Sequence, residues 1–384
     1  MGEFYLEESA IVLKRCPDLC PHVFLPIRNQ EFYGLPNFVA LKKQFNAKFA
    51  FMDQLSTFLS KSLVHVGSPE DVFESVIKEY RPVLAQESVK CVLDPLIIEL
   101  FNQARFIKTP SEIAAMRYAA QVGARAHQLI SRDLEQLKSE SMIELSLYMY
   151  SLQCGARLQA YNPVVAAGPH TTVLHFLTGE TADRGLKPVL PGEFVLVDAS
   201  ASWQGYASDM TRTYAKDMTQ EMRKMHNLVA LALEKAKAKY VIGAAWNSVG
   251  EEAQRVLLKG LVECGILAGT FEQLTESGAL QAFLPHAIGH PIGLEVHDTA
   301  PYSSYTDGQM NYNLTIGMVH AIEPGIYFIP HVIDGIRNDS SHHLHELIDW
   351  VVIEKFLHVG GIRLEDMVAI DYSGKAQVLN TIDW

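Results

Sequence analysis

Two acidic residues sit where an unpaired charge is hard to accommodate. Asp198 closes the apolar run Val195-Leu196-Val197, and Asp209 follows eleven residues later, across a Trp203-Gln204-Gly205 turn. Strands paired about the Trp203–Gln204 midpoint would set the two acids directly opposite each other, with Cβ atoms about 4.5–5.5 Å apart. Carboxylates that close repel, and they need a shared proton or a cation. Apolar neighbours raise the cost of leaving them bare. A single carboxylate beside a hairpin turn is ordinarily a solvated residue or a turn cap, so the pair gains weight only from what accompanies it.

The accompaniment is a histidine segment, Leu284-Pro-His286-Ala-Ile-Gly-His290-Pro-Ile-Gly-Leu-Glu-Val-His297-Asp298, in which Gly289 and Gly293 flank the middle histidine. Small residues let backbone approach a site closely. His290 can ligate a metal through one ring nitrogen while a second partner orients the other. For any one of these histidines alone, a satisfied core imidazole is the plainer reading. Two glutamates complete the set. Glu323 ends the apolar run Met318–Ile322 just before Pro324-Gly325, and Glu365 lies in Gly361-Ile-Arg363-Leu-Glu-Asp. Acids embedded in apolar runs are rarely left unpaired; for Glu365 the alternative to a metal is a salt bridge to Arg363.

These side chains need elements to carry them. Residues 1–105 read as a short α/β domain, with apolar runs such as His22-Val-Phe-Leu-Pro and Cys91-Val-Leu beside a helical stretch over Pro69–Tyr80. A boundary falls near Phe106, where Thr109 and Ser111 offer N-caps, Pro110 suits a first turn and Glu112 suits the helix dipole. A long amphipathic helix follows to about Ser131, opening a catalytic domain over 106–384. Glu193–Ala199 and Tyr206–Tyr214 read as strands, as do Met318–Glu323 and Asp366–Tyr372. Helices are expected over Thr219–Tyr240, with Met222, Met225, Leu228 and Leu231 in the core, and from a capping box at Ser248-Val-Gly-Glu251 to about Gly265. The class is α+β, with a curved antiparallel sheet as the platform.

Composition narrows the function. The 384 residues suit two domains, and 48% hydrophobic with 20% charged residues argues for a folded chain. A net charge of −12 without a basic stripe gives no footprint for nucleic acid. No apolar stretch approaches the roughly 20 residues needed to span a bilayer, and the acidic start Met1-Gly-Glu-Phe-Tyr-Leu-Glu-Glu lacks secretory features. Five scattered cysteines suggest a reducing compartment, so cytoplasmic placement is expected. Cys16 and Cys20 have no second pair to form a zinc knuckle. Ser340-Ser-His342-His343-Leu-His345 reads as a polar surface loop.

At this point the residues resemble a known family. Asp198, Asp209, His290, Glu323 and Glu365, in that order, are similar to the ligand set of the pita-bread metallopeptidases, which include methionine aminopeptidase, aminopeptidase P, prolidase and creatinase. Gly205-Tyr-Ala-Ser-Asp-Met-Thr-Arg, Ile288-Gly-His-Pro-Ile-Gly-Leu-Glu-Val-His-Asp, Ile322-Glu-Pro-Gly-Ile-Tyr-Phe and Gly361-Ile-Arg-Leu-Glu-Asp resemble the prolidase and aminopeptidase P branch, and the long stretch from Glu323 to Glu365 is closest to prolidase. The resemblance covers roughly 106–373. It implies a pita-bread C-terminal domain, a small α/β N-terminal domain and a homodimer. It implies two divalent metal ions, with Asp198 chelating one, Asp209 and Glu365 bridging, and His290 and Glu323 completing the other's shell. Four carboxylates with one imidazole form a hard site that favours Mn²⁺, with Co²⁺ or Zn²⁺ as substitutes. The implied reaction is attack of a metal-bridging hydroxide on the amide bond before proline, in Xaa-Pro dipeptides or at the N-terminus of short peptides. Glu323 would shuttle the proton, His175 and His297 would meet the substrate carbonyl, and His286 would stand at the site edge. Arg363 is a further expected substrate contact.

The chain departs from that pattern in ways that bear on substrate. From Asp298 to Glu323 it has no Arg or Lys, and Gln309 stands where a dipeptidase places the arginine that holds the substrate carboxylate; Arg337 or Lys355 are the substitutes within the chain. Ala287 and Pro291 reshape the pocket, and about 105 residues make a short first domain. Two other readings use the same residues: a hydrolase or lyase acting on a non-peptide small molecule, and a non-catalytic binding protein with the same fold. Bound metal separates the last from the others, and a substrate panel separates peptide from non-peptide chemistry.

Overall fold

The computed structural model describes residues 95–156, 158–178, 186–301, 304–306 and 309–381, with four short strands before them. Contacts divide the chain into two compact units, Met1–Gln103 and Ala104–Trp384. In the first, β1 (Ala10–Lys14), β2 (His22–Leu25), β3 (Lys48–Phe51) and β4 (Val64–His65) form one sheet in the order β3-β2-β1-β4. The β2–β3 pairing is parallel and the others antiparallel. Helix α1 spans Pro95–Phe106. The helix expected over Pro69–Tyr80, the strand at Cys91, and Cys16, Cys20 and Cys91 themselves lie outside the described residues.

The second unit opens with α2 (Pro110–Asp133). Its capping box is closed by Thr109 rather than Ser111: the Thr109 hydroxyl accepts from the Glu112 N–H while the Glu112 carboxylate accepts from the Thr109 N–H. Helix α3 (Glu140–Gln153) follows, then β5 (Leu158–Gln159), β6 (Val164–Ala167) and the hairpin system β7 (Phe194–Asp198), β8 (Ala201–Trp203), β9 (Tyr206–Ala207) and β10 (Thr211–Ala215).

The hairpin corrects the expected register. Asp198 pairs with Thr211, Ser202 with Ala207 and Trp203 with Tyr206, so the centre of the turn is Gln204–Gly205. Both turn residues have positive φ, 52° and 82°, the conformation of a two-residue type I′ loop. Asp198 therefore does not face Asp209; carried through the break, the register sets Asp209 opposite Ser200, two positions nearer the turn. The slip is two residues, and side chains alternate with period two, so both acids stay on one face.

Helices α4 (Gln220–Lys239) and α5 (Trp246–Glu263) pack together beneath the sheets. Thr219 caps the first through the Met222 N–H. Met222, Met225, Val229, Ala232 and Ala236 are buried, whereas Leu231 is exposed. A strict spacing of three drifts off the face of a 3.6-residue helix, which is why Leu231 leaves the core and Val229 and Ala232 enter it. The expected start at Ser248 is also corrected. Helix α5 begins at Trp246 after Ala245, and the Ser248 hydroxyl donates back to the Ala245 carbonyl instead of capping forward. Its end is as expected, with Gly265 at φ 75° just beyond the cap residue Cys264.

The remaining elements are α6 (Phe271–Glu276), β11 (Gly289–Pro291), β12 (Tyr305–Thr306), β13 (Gln309–Met310), β14 (Val319–Ile322), β15 (Gly325–Tyr327), α7 (Pro330–Asn338), α8 (Trp350–Ile353), β16 (Gly361–Arg363), β17 (Asp366–Ile370) and β18 (Ala376–Val378). One antiparallel sheet runs β11-β14-β17-β18, and another runs β10-β7-β6. Strands β14–β15 and β16–β17 form one ladder with a break in the middle. Ile322 pairs with Asp366 on one side of the break and Gly325 with Arg363 on the other, in the same register. Continued through the break, that register sets Glu323 across from Glu365. The α+β class holds, and small antiparallel sheets form the platform. No helix among the described residues is long and apolar enough to cross a membrane.

Candidate metal centre

Each acid of interest stands where a strand stops. Asp198 is the last residue of β7, Asp209 precedes β10, and Glu323 and Glu365 fill the break in the long ladder. At such positions a side chain can turn inward without disturbing a pair. The sheets are stitched together there: the Glu365 N–H donates to the Thr211 carbonyl (3.1 Å), and the Glu323 N–H donates to the Ile288 carbonyl (2.7 Å). His290 comes from the centre of β11, opposite Ala321. Gly289 is required beside it, because a Cβ there would collide with the Ala321 carbonyl oxygen.

The five residues converge. His290 Nε2 lies 3.5 Å from Asp209 Oδ2 and 3.7 Å from Glu323 Oε1. Asp209, His290 and Glu365 each offer a ligand atom within 4.8 Å of the others. Asp198 joins through Tyr161, whose hydroxyl lies 2.6 Å from Asp198 Oδ1 and 2.5 Å from Asp209 Oδ1. The other oxygen of Asp198 accepts from Arg363 Nη2 at 2.6 Å. Glu365 Oε2 accepts from the Thr211 hydroxyl, while its Oε1 is buried with no hydrogen-bond partner.

The electrostatics describe a place short of positive charge. Burial, then the charges of Asp209, Glu323 and Asp198, pushes the Glu365 carboxyl well above the usual carboxylate range. Burial also raises Asp198, against the pull of Arg363. Glu323 rises to about 7, with burial the main cause and His290 and Arg363 opposing it. For His290 burial acts downward, but hydrogen bonding and charge from Asp209, with Glu323, bring it up to about 9. The Tyr161 phenol is pushed far up by burial and the surrounding acids, so it remains a donor.

Around this cluster, His286 bonds Tyr327 through Nε2 (3.0 Å), and its Nδ1 lies 3.9 Å from Glu323 Oε2. Burial and the Arg363 charge hold His286 down at about 4, so it is neutral. His297 is exposed and sets its ring edge-on to His290, with centroids 4.4 Å apart. His175 is exposed, and its charge bears on both His286 and His297. Arg363 departs from the expectation that it meets substrate. Its side chain is 4% exposed and committed to Asp198, the Tyr327 hydroxyl and the Thr211 hydroxyl. It orients the site from behind, and the ion pair with Glu365 weighed from the sequence is replaced by one with Asp198. Of the substitute cations, Arg337 pairs with Glu354 and lies over Trp350. His342 and His343 stack on each other in the turn before Leu344 and build no acid–histidine cluster.

Tyr161 and Tyr327 escaped the sequence reading. Tyr161 precedes Asn162-Pro163 with no spacing signal, and its role appears only once β6 lies alongside β7. Tyr327 sits in a phrase already singled out, Glu323-Pro-Gly-Ile-Tyr, where alternation from Gly325 was the available clue.

The description of metallopeptidase family M24 matches residues 114–371. A probable Xaa-Pro aminopeptidase of Podospora anserina is 31% identical over 297 residues, covering 75% of this chain and 63% of that protein. A probable Xaa-Pro aminopeptidase of Fusarium vanettenii is 30% identical over 344 residues, covering 86% and 71% respectively. The solved structure of Pseudomonas aeruginosa aminopeptidase PepP superposes with a TM-score of 0.76 at 25% identity, covering 97% of this chain and 82% of that one. The chain spans about three fifths of the length of the first curated relatives it matches. Their names are those of Xaa-Pro aminopeptidases, where the sequence phrases alone pointed nearest to prolidase.

Proposed function

The chain belongs to metallopeptidase family M24 and has its pita-bread fold, and from that premise we propose that it is a metal-dependent peptidase that removes the N-terminal residue ahead of proline. The observation that carries the reading is the convergence of Asp198, Asp209, His290, Glu323 and Glu365 around the unpartnered, buried Glu365 Oε1. An orphan carboxylate oxygen in a nest of acids suits a cation, and the oxygen-rich donor set suits two divalent ions, Mn²⁺ first. Such ions would supply a water that ionises near neutral pH and a Lewis acid for the carbonyl oxygen.

The chain's own residues do the rest. Glu323 lies between His290 and His286, so it reaches both the cluster and the open side, where it would take a proton and pass it to the leaving nitrogen. His297 and His175 would provide donors for the oxygen on which negative charge develops, while the neutral His286 donates to the Ala287 carbonyl and accepts from the Tyr327 hydroxyl. Arg363 fixes Asp198 and, through Tyr327, the ring of His286. Arg363 is buried, Arg337 is paired with Glu354, and no Arg or Lys lies between Asp298 and Glu323, so none of these positions offers a cation to the free carboxylate of an Xaa-Pro dipeptide. That favours longer peptides over dipeptides.

The test is to strip the metal, restore Mn²⁺, and compare an Xaa-Pro-Xaa tripeptide with an Xaa-Pro dipeptide, with Glu323→Gln as control. Mn²⁺-dependent cleavage of the tripeptide, slowed about 10²–10⁴-fold in the control, is the expected result. Metal binding without cleavage of either peptide would sink the peptidase reading and move the search to non-peptide amides and esters.

A further inference from the structure

Behind the histidine segment lies an ion cluster that the chemistry above does not use. Lys108 is among the most deeply buried large side chains of the described residues, and its ammonium lies 3.1 Å from Asp298 Oδ2, with both side chains 1% exposed. The other oxygen of Asp298 accepts from Arg105 Nη2 at 2.5 Å and from the Thr299 N–H at 2.9 Å. Burial drags the Lys108 pKa down and the Asp298 charge holds it up. Buried pairs of this kind add little net stability over apolar residues of the same size, and they earn their place by fixing a geometry.

The geometry here is that of the loop carrying His297. Asp298 follows His297 directly. Its N–H closes the loop onto the Pro291 carbonyl (3.0 Å), while Leu294, Glu295 and His297 are exposed and Val296 is the loop's one apolar side chain packed against the core. Among the described residues no hydrogen bond holds the His297 ring. The loop is shaped around the pair: a Cβ at Gly293 would overlap Asp298 Oδ2 and come within 2.8 Å of Lys108 Cε. Lys108 is itself bolted down at both backbone ends, its N–H to Gly317 and its carbonyl to the Tyr372 hydroxyl. Residues 293–297 form a continuous bend that ends at Asp298, so the carboxylate locked inward at 298 anchors the end of that bend, directly after the residue whose ring lies 4.4 Å from that of His290.

We infer that Lys108 and Arg105, by clamping the Asp298 carboxylate, are positioning residues that aim His297 into the metal centre. The inference rests on the peptidase reading for its kinetic form and on the geometry alone for its structural form. It assigns a task to a Lys and an Arg that touch neither metal ligand nor substrate.

The test uses Lys108→Met in the full chain, in wild-type and His297→Ala backgrounds, with bound Mn²⁺, kcat and KM for an Xaa-Pro-Xaa tripeptide all measured. The expected result is unchanged metal content, KM within about twofold and kcat down by about tenfold or more, as small misplacements of a reacting group produce. In the His297→Ala background Lys108→Met should cost nothing further. An equal loss in both backgrounds, or no loss in either, overturns the inference. If Lys108→Met fails to fold, Arg105→Met tests the same carboxylate from a half-open position. A second readout needs no activity: in Zn²⁺-loaded protein, the His297 ring resonance, assigned by its disappearance in His297→Ala, should shift in Lys108→Met while that of His175 holds. A tripeptide left uncleaved by the wild type would end the peptidase reading, and a shifted resonance would still uphold the clamp. An unmoved His297 resonance would end the clamp whatever the activity.

Discussion

His127 is a histidine whose protonation the fold opposes, and the consequence can be worked out. Its ring is fully buried on α2, with Nε2 2.9 Å from the Ala199 carbonyl and Nδ1 2.8 Å from the Tyr214 hydroxyl. A carbonyl only accepts, so Nε2 carries the proton and Nδ1 accepts from the tyrosine. Burial, reinforced by Arg212, lowers the pKa from 6.5 to about 4. Above pH 6.5 folded and unfolded chains both hold a neutral ring, and the contribution is complete. As pH falls below 6.5 the unfolded chain takes up a proton that the folded one refuses, so stability drains away until about pH 4. A shift of about 2.5 units corresponds to about 3 kcal/mol in all, of which about 2 kcal/mol is gone by pH 5. Other groups titrate over the same range, so the measurement is a difference. Urea unfolding of wild type and His127→Gln, both metal-free, at pH 7.5 and pH 5 should show the wild type's advantage over the variant shrink by about 2 kcal/mol at the lower pH. A difference indifferent to pH would refute the reasoning, since the ring would then be titrating in the folded protein.

Three further outcomes are expected. Tyr161→Phe removes the donor shared by Asp198 and Asp209 and should cost about 1–3 kcal/mol in metal-free protein, yet much less once Mn²⁺ is bound, because the ions then satisfy the same oxygens; equal losses by urea titration in both forms would count against it. Gly289→Ala drives a Cβ into the Ala321 carbonyl and must part β11 from β14, so bound metal should fall with the melting temperature, and a variant that melts as wild type with full metal content would contradict the close approach. Chelation should lower the melting temperature and Mn²⁺ should restore it, by about 2.7 kcal/mol at a hundredfold excess over the dissociation constant, with the recovery lost in Asp209→Ala, as calorimetry would show.

The five ligand-type residues were legible because each breaks a local rule. A carboxylate ending an apolar strand, or a histidine between glycines, is costly unless something compensates, and that cost is written in neighbouring residue types. Register was less legible. Gly205 announces a turn, but Gln204 adopts positive φ without being a residue type that invites it, so the turn centre was misplaced by one residue and the pairing by two. The conclusion about Asp198 and Asp209 survived because an even slip preserves the face. Arg363 was misread because sequence shows that a cation is near the site and not which side of it; only the pairing of β15 with β16 puts it behind Asp198 and Tyr327. Ser248 carried the letters of a capping box, yet Trp246 had a better use two residues earlier, buried against Tyr240 and His320, and packing outweighed the cap. Lys108 gave no signal, since nothing in its neighbours reveals a partner as remote as Asp298.

The break in the long ladder sets two consecutive acids to opposite tasks. Glu365 turns toward the crowded anions with one oxygen unmatched, while Asp366, the next residue, turns away to Arg212 and Lys237, which hold its carboxyl down at about 2. Strand β17 thus reads like a two-letter word whose meaning depends on phase: shifted by one, it would offer the centre an acid already neutralised by two cations and bury the hungry one among them. The other members of the proposed centre arrive from separate segments between Asp198 and Glu323, so ion capture there would act as a proofreading step on the finished topology. Only a chain with every strand in phase would bring these side chains together, so under the proposed function bound metal in a purified sample would follow the fraction of molecules that reached the native register.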